Sequence, residues 1–133
     1  MTIIVGYVPR PEGRAAIDAA IEQARALGET ITVLNTSRGE RQVDPTFASE
    51  DDLAEVRRVL DDAGVTYDVH QSVSGKDVAE EIVDEAESRK ARLIVIGLRR
   101  RTATGKFLFG SNAQRVLLDA DCPVLAVKAP IHT

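Results

Sequence analysis

The chain has little of the chemistry that marks a secreted, membrane-embedded or disulfide-bonded protein. Its single cysteine, Cys122, cannot form an internal disulfide, and we interpret it as a buried structural thiol. No apolar run approaches the roughly 20 residues of a membrane helix. No charged and apolar signal sequence opens the chain. The sequence therefore predicts a cytoplasmic protein that does not enter a membrane.

Histidine is scarce as well. The two histidines, His70 and His132, have no cysteine, serine or carboxylate at the spacing of a metal site or a catalytic triad. Residues 9–13 follow the first apolar run and contain a lone glycine, so they lack the G-x-G-x-x-G spacing of a dinucleotide site. We therefore expect no metal, no dinucleotide cofactor and no enzymatic activity.

Charge is nearly balanced overall but unevenly distributed. The chain has 17 basic and 21 acidic residues and a net charge of −4, which does not indicate a nucleic-acid partner. Residues 1–96 carry 11 basic and 19 acidic side chains, whereas residues 97–133 carry 6 basic and 2 acidic ones. The last part of the chain is therefore net positive, and an anion is expected to bind there.

What the chain does have is a regular alternation of apolar runs and amphipathic segments. With 133 residues and 44% apolar side chains, it is expected to form one domain over residues 1–133. The segments between the apolar runs repeat their apolar residues at helical spacing. The runs themselves predict five strands, at residues 3–8, 30–37, 66–73, 93–96 and 124–128.

Two of the helices carry the same start signal. Ser49 is followed three residues later by Asp52, and Ser74 is followed by Asp77. A serine with an acidic residue three positions on is typical of a capping box, in which each side chain bonds the other residue's backbone N–H. We predict that the second and third helices begin at these pairs.

The alternation of strands and helices predicts the fold class. Short loops between them favour a mostly parallel sheet with right-handed crossovers and helices on both faces. We predict an α/β fold, a three-layer α/β/α sandwich with a Rossmann-like parallel sheet of five strands. Its expected strand order is 3-2-1-4-5, which makes the first and fourth strands neighbours at the point where a ligand would bind.

The segment after the fourth strand, residues 97–112, has the composition of a phosphate-binding loop. Glycine allows close approach of the backbone, and a helix N-terminus with Ser111 offers N–H and O–H donors. The alternative is a tight turn, an ordinary helix cap and a solvated charge run. The cations available for an anion are Arg99, Arg100, Arg101 and Lys106.

The same segment carries a family resemblance. Gly97, Gly110 and Ser111 match the pattern G-x2-G-x9-G-[S/T] of universal stress proteins that bind ATP, with the correct total spacing. Residues 110–128 also resemble the end of that family's domain. The resemblance implies a fold similar to the adenine nucleotide alpha hydrolases and a dimeric, non-catalytic stress-response protein. It also implies an adenine-nucleotide pocket after the fourth strand.

Two positions depart from the family's pattern. Arg100 stands where the second glycine is expected, and Val8 or Pro9 stands where nucleotide-binding members carry an acidic residue that contacts the ribose. An arginine can bond a phosphate directly, so both AMP and ATP stay open as ligands. The resemblance places adenine near Val8, Pro9, Thr36 and Ile96. The remaining site residues are predicted to be Gly97, Arg99, Arg100, Gly110, Ser111 and Asn112.

The last strand predicts a partner. It falls at an edge of the sheet in the predicted order, and an apolar edge is commonly covered by another chain. We expect a homodimer through Val124, Leu125 and Val127, the way the family commonly dimerises. The alternative function is an interaction or structural stress protein with a vestigial pocket.

Overall fold

The computed structural model describes residues 1–37, 39, 45–100, 107–108 and 110–129, with the backbone alone at 100, 107 and 108. Strands and helices alternate along this part of the chain as the apolar pattern predicts. In chain order they are β1 (Thr2–Gly6), α1 (Pro11–Leu27), β2 (Thr30–Ser37), α2 (Glu50–Ala63), β3 (Tyr67–Val73), α3 (Val78–Ser88), β4 (Leu93–Arg100), β5 (Phe107–Leu108), α4 (Ser111–Asp119) and β6 (Val124–Lys128).

Five of these strands form a parallel sheet in the order β3-β2-β1-β4-β6. The predicted order 3-2-1-4-5 is therefore confirmed, with β6 as the fifth parallel strand. β1 lies at the centre, where Ile3 and Val5 contribute to the core on one face and Ile4 to the core on the other. Burial on both faces explains why β1 is a continuous apolar run rather than an alternating one.

Helices cover both faces of the sheet, which confirms the predicted sandwich. One core packs α1 and α2 against the sheet, with Ile17 from α1 and Leu60 from α2 fully buried. The other core packs α3 and α4, with Ile82 and Val116 at its centre. Each helix turns an apolar stripe to the sheet and most of its charged residues to solvent, with Glu12 of α1 and Glu81 of α3 as buried exceptions.

The two predicted capping boxes have different outcomes. At α2 the prediction is confirmed, since the Asp52 N–H donates to Ser49 Oγ at 3.1 Å and the Ser49 N–H donates to Asp52 Oδ2 at 2.9 Å. At α3 it is wrong, because Asp77 itself is the N-cap residue and makes no capping hydrogen bond. The Asp77 carboxylate accepts instead from Arg115 of α4, at 2.6 Å.

β4 is longer than its apolar run predicts. The predicted end at Ile96 is wrong, because the strand continues through Gly97 to Arg100. Gly97 and Leu98 extend the parallel pairing with β6. The last two residues of β4 then pair antiparallel with the two-residue strand β5. The segment predicted to be a phosphate loop therefore begins as strand.

The scarce residues of the sequence have modest structural roles. Cys122 is half-buried rather than buried, and it packs against the core of α3 and α4, where burial raises the pKa of its thiol. A raised thiol pKa disfavours the reactive thiolate. Among the described residues, no helix is both long enough and apolar enough to span a membrane.

Candidate functional site

A cavity of about 290 Å³ lies at the carboxyl edge of the sheet, where β1 and β4 end side by side. From β1 the strand order runs to β2 on one side and to β4 on the other, so the connecting loops diverge at this point. Open α/β sheets bind ligands at such a switch point. The start of α1 forms part of one wall, and α3 and the start of α4 contribute to the others.

All but two of the residues predicted for the site line this cavity. They come from the region after β1, from β2, from β4 and from the start of α4, and they are Val8, Thr36, Ile96, Gly97, Arg99, Gly110, Ser111 and Asn112. Pro9 lines a different depression. Arg100 lies on β4, but its side chain is outside the described part of the chain, as are the predicted cations Arg101 and Lys106.

The helix that borders the cavity, α4, begins without a side-chain cap. Gly110 is its N-cap residue, with φ −67° and ψ 163°, and Ser111 is the first helical residue. The first N–H groups of a helix have no partner within the helix and carry partial positive charge. Ser111 and Asn112 are exposed on the cavity. This end of α4 therefore offers backbone and side-chain donors to an anion.

Gly97 allows α1 and β4 to approach each other closely. A Cβ atom at this position would lie 2.2 Å from the backbone oxygen of Glu12 and 2.6 Å from its carbonyl carbon. Only glycine avoids that collision. The first turn of α1 is therefore pressed against β4 beside the cavity, and the glycine predicted to admit a phosphate makes room for a helix.

This contact buries a carboxylate that the sequence does not single out. Glu12 lines the cavity and is 7% exposed. Its side chain has no hydrogen bond or ion pair with any residue in the described ranges. Every described side-chain oxygen that is sealed from solvent has a hydrogen-bond partner. Because the Glu12 oxygens have no partner, they must border open space. The cavity that Glu12 lines supplies that space.

The place of Glu12 in the first turn of α1 suits a carboxylate, because a helix N-terminus carries partial positive charge. Glu12 receives no hydrogen bond from the described protein, so its carboxylate can accept one from a ligand in the cavity.

Two arginines line the cavity with Glu12. Arg10 is the N-cap residue of α1 and is half-buried, and Arg99 is exposed on β4. Neither forms an ion pair with a residue that the structure describes. The charge run after the fourth strand predicts Arg99 as a site residue. Arg10 was not predicted, because its only signal in the sequence is its place directly after the first strand. Together they supply positive charge to an anionic ligand.

The wall between β1 and β2 is fixed by one buried amide. Asn35 is 1% exposed, and its Nδ2 donates to the Tyr7 carbonyl oxygen at 2.8 Å and to that of Thr46 at 2.9 Å. Its Oδ1 accepts from the Ala48 N–H at 2.8 Å and from Gln71 Nε2 at 3.0 Å. The network holds the segment before α2 against the sheet. Tyr7 and Thr46, both lining residues, are thereby positioned.

The rest of the wall is apolar. Leu34 reaches the cavity from β2, and Val78 and Ile82 reach it from α3. Their apolar character is visible in the sequence, where it predicts core packing rather than a site. A concave surface that combines apolar walls with a few polar groups is the usual composition of a small-molecule site.

A second depression, of about 320 Å³, lies on the other side of Tyr7, between α1 and α2. Pro9, Arg14 and Glu55 line it. Arg14 lies 3.1 Å from Asp18 and 3.8 Å from Glu55, and Glu55 also pairs with Arg58 at 2.5 Å. Arg14 and Glu55 are therefore already paired, whereas Arg10, which lines both the cavity and this depression, has no ion pair with a described residue. Burial raises the pKa of Tyr7, and the charge of nearby Asp52 raises it further.

No metal-binding arrangement occurs in the part of the chain that is described, where no three His, Cys, Asp or Glu side chains are grouped to hold an ion. His70 is exposed on β3, with its Nε2 2.7 Å from Asp68 Oδ2 and 2.9 Å from the Arg89 guanidinium. His132 lies outside the described residues. His70 is therefore part of a surface charge cluster.

Comparison with known proteins agrees with the family resemblance that the sequence carries. The sequence pattern of the universal stress protein family matches residues 1–128. A universal stress protein of Mycolicibacterium smegmatis is 43% identical over 126 residues, which cover 95% of this chain and 96% of that protein.

Solved structures agree as well. The universal stress protein from Archaeoglobus fulgidus has a TM-score of 0.80 at 30% identity, covering 96% of this chain and 97% of its own. A structure of the universal stress protein from the same organism in complex with dAMP has a TM-score of 0.65 at 27% identity, covering 96% of each chain. The chain described here belongs to the universal stress protein family.

Proposed function

We propose that this protein binds an adenine nucleotide, AMP or ATP, in the cavity at the ends of β1 and β4, as part of a stress response. The observation that carries the proposal is the composition of the cavity, in which apolar walls meet an uncapped helix N-terminus and two arginines. The complex of the Archaeoglobus fulgidus relative with dAMP supports the ligand class. The chemistry suits an anion attached to a flat, partly apolar group.

The arrangement suggests how the ligand would lie. The phosphate would face Gly110 and Ser111 at the start of α4, with Arg99 as counter-charge. The base would lie against the apolar side of the cavity, near Val8 and Ile96. Ligand pockets usually measure about 300–1,000 Å³, and about 290 Å³ is near the lower limit. We therefore expect the nucleoside and one phosphate to fill the cavity, with further phosphates of ATP extending outside it.

We propose binding without catalysis, in the cytoplasm. Hydrolysis of a nucleotide needs a general base or a metal-holding acid beside the phosphate. Asp119 and Asp121 stand at the opposite end of α4 from Ser111, and Glu12 lines the cavity from α1 rather than from the expected phosphate end at α4, with no described metal-binding group around it. A bound nucleotide would then act by stabilising one conformation or one choice of partner.

The binding proposal is tested by titrating the protein with AMP, ADP, ATP and cyclic AMP and measuring both the melting temperature and the dissociation constant. At least one nucleotide should raise the melting temperature, and the rise should grow with the logarithm of its concentration relative to Kd. Arg99→Gln should weaken that nucleotide about tenfold or more, because it removes a charged hydrogen-bond donor. Arg14→Gln, in the second depression, is the matched control and should bind normally. No shift with any nucleotide at millimolar concentration would reject the proposal and favour an interaction protein.

We also propose a homodimer formed through β6. Within the described residues β6 pairs with β4 alone, and Val124, Leu125 and Val127 are only half-buried. Ile94 N–H donates to the Pro123 carbonyl, and Ala129 N–H donates to the Leu98 carbonyl. Backbone groups alternate sides along a strand, so those of residue 126 face the outer edge.

This edge allows a sharp test of the dimer. Ala126→Pro removes an outward N–H without removing a bond to β4, so it should convert the dimer to a folded monomer. Ala126→Val adds similar bulk but keeps the N–H, and it should stay dimeric. Sedimentation velocity distinguishes the two states. A monomeric parent protein, or a dimer unaffected by the proline, would contradict this interface.

A further inference from the structure

Glu12 is the one feature of the cavity that the proposed function does not use. It is a carboxylate that lines the cavity at 7% exposure and has no partner among the described residues. Nothing in α1 requires it there, since the helix already begins with Pro11, a residue favoured at the first position. A carboxylate that is held at low exposure beside a cavity, and that has no protein donor, is placed to accept a hydrogen bond from a bound molecule.

We propose that Glu12 is a ligand-selecting residue, whose carboxylate accepts a hydrogen bond from a neutral O–H or N–H group of the bound nucleotide. The inference rests on the proposed function and adds a specificity to it. An ionised carboxylate only accepts hydrogen bonds, so it demands a donor and rejects an acceptor at the same place. A site built in this way discriminates strongly against analogues that lack the donor, because its buried acceptor is then left unpaired.

The surroundings of Glu12 favour a neutral donor over a metal ion. Arg10 and Arg99 line the same cavity, and their positive charge opposes a cation there. Glu12 also stands alone, with no group of three acidic, histidine or cysteine side chains around it in the described ranges. A nucleotide has two sources of neutral donors, the sugar hydroxyls and the amino group of the base. Both present the same chemistry to the carboxylate.

The test compares Glu12→Gln with the parent protein. Glu22→Gln, an exposed glutamate on the same helix, is the matched control. Dissociation constants are measured for AMP, 2′-deoxy-AMP, 3′-deoxy-AMP and IMP, which lacks the amino group. In the parent protein at least one analogue should bind about 10- to 100-fold more weakly than AMP, as expected for one charge-assisted hydrogen bond. In Glu12→Gln the ratio of the dissociation constants of that analogue and AMP should fall towards one. The analogue whose ratio falls identifies the donor group of the nucleotide.

A second readout does not depend on the ligand. The melting temperature of ligand-free Glu12→Gln should stay close to that of the parent protein, because the substitution removes no hydrogen bond or ion pair of the described protein. If Glu12→Gln does not fold, Glu12→Asp keeps the charge but withdraws the oxygens, and it should lose the same discrimination.

Four results would overturn the inference. The first is the same analogue ratios in the parent protein and the variant, and the second is a parent protein that does not distinguish the analogues. The third is a ligand-free variant that melts at a lower temperature while binding normally. The fourth is stronger binding of AMP in the presence of Mg²⁺ that depends on Glu12. Failure of the proposed function is distinguishable, because the parent protein itself would then bind none of the nucleotides.

Discussion

The two depressions on either side of Tyr7 have similar volumes and different chemistry. The cavity at the ends of β1 and β4 measures about 290 Å³, and the depression between α1 and α2 measures about 320 Å³. In the depression, Arg14, Asp52 and Glu55 each bond another protein group. In the cavity, Glu12 has no described partner, and α4 begins without a side-chain cap.

Volume alone therefore does not identify a site. Where polar groups satisfy one another, a ligand must break existing bonds before it forms new ones, and the net gain is small. Where polar groups are left unpaired, a ligand can form hydrogen bonds with them without breaking existing ones. The difference arises from backbone contacts, since Gly97 lets the first turn of α1 reach β4 and so carries Glu12 to the cavity. The depression has α2, whose charged residues face those of α1.

The largest expected effect comes from the wall that both depressions share. Asn35→Ala removes four hydrogen bonds and leaves the carbonyl of Tyr7 and the N–H of Ala48 without their partner. We expect the free energy of unfolding to fall by about 2–4 kcal/mol, since each net bond contributes about 0.5–1.5 kcal/mol. Urea unfolding measures the loss.

Gln71→Ala is the graded control for that experiment. It removes one bond to Asn35 and one to the Ala48 carbonyl from an exposed residue, so it should cost clearly less. Equal losses for the two variants would show that Asn35 does not organise this wall.

The next largest effect is expected at Gly97, which lines the cavity and not the depression. Gly97→Ala places a Cβ 2.2 Å from the Glu12 backbone oxygen, so α1 and β4 must move apart. We expect a loss of about 1–3 kcal/mol, the usual cost of overpacking, together with weaker nucleotide binding. Gly110→Ala is the control, because a Cβ there meets no described atom within 4 Å and its φ is negative. A Gly97→Ala protein as stable as Gly110→Ala would contradict the close approach.

The sheet could be predicted from sequence because its signals are local. Continuous apolar runs identify strands buried on both faces, and the positions of the helices between them follow from spacing. The capping box at Ser49 and Asp52 was equally readable, since both partners lie within one turn. The composition after β4 predicted the cavity residues on β4 and at the start of α4, whereas Val8, Thr36 and Ile96 were predicted from the family resemblance.

The rest depends on contacts between distant parts of the chain. Glu12 looks like an ordinary acidic residue in a first helical turn, and only its contact with Gly97 makes it a buried group at the cavity. The extension of β4 is invisible for a similar reason. Arg99 and Arg100 have no strand signal of their own, and they are strand because they pair with β5. The predicted box at Ser74 and Asp77 fails because α3 starts only after Asp77, whose carboxylate bonds Arg115 on another helix.

The smallest effect concerns a paired carboxylate in the depression, which contrasts with Glu12. The hydrogen bonds from Arg58 lower the pKa of Glu55 below its ordinary value, and the charges of Arg58 and Arg14 act in the same direction. A lowered folded-state pKa stabilises the protein above the unfolded pKa, and that stabilisation is lost as the pH falls through the folded value. Glu55→Gln should therefore be slightly less stable than the parent protein at neutral pH, and the difference should vanish in acid. Urea unfolding of Glu55→Gln and the parent protein from neutral to acidic pH, at low salt, measures the difference, and a stabilising Glu55→Gln would mean that its pairing with arginine gives no net benefit.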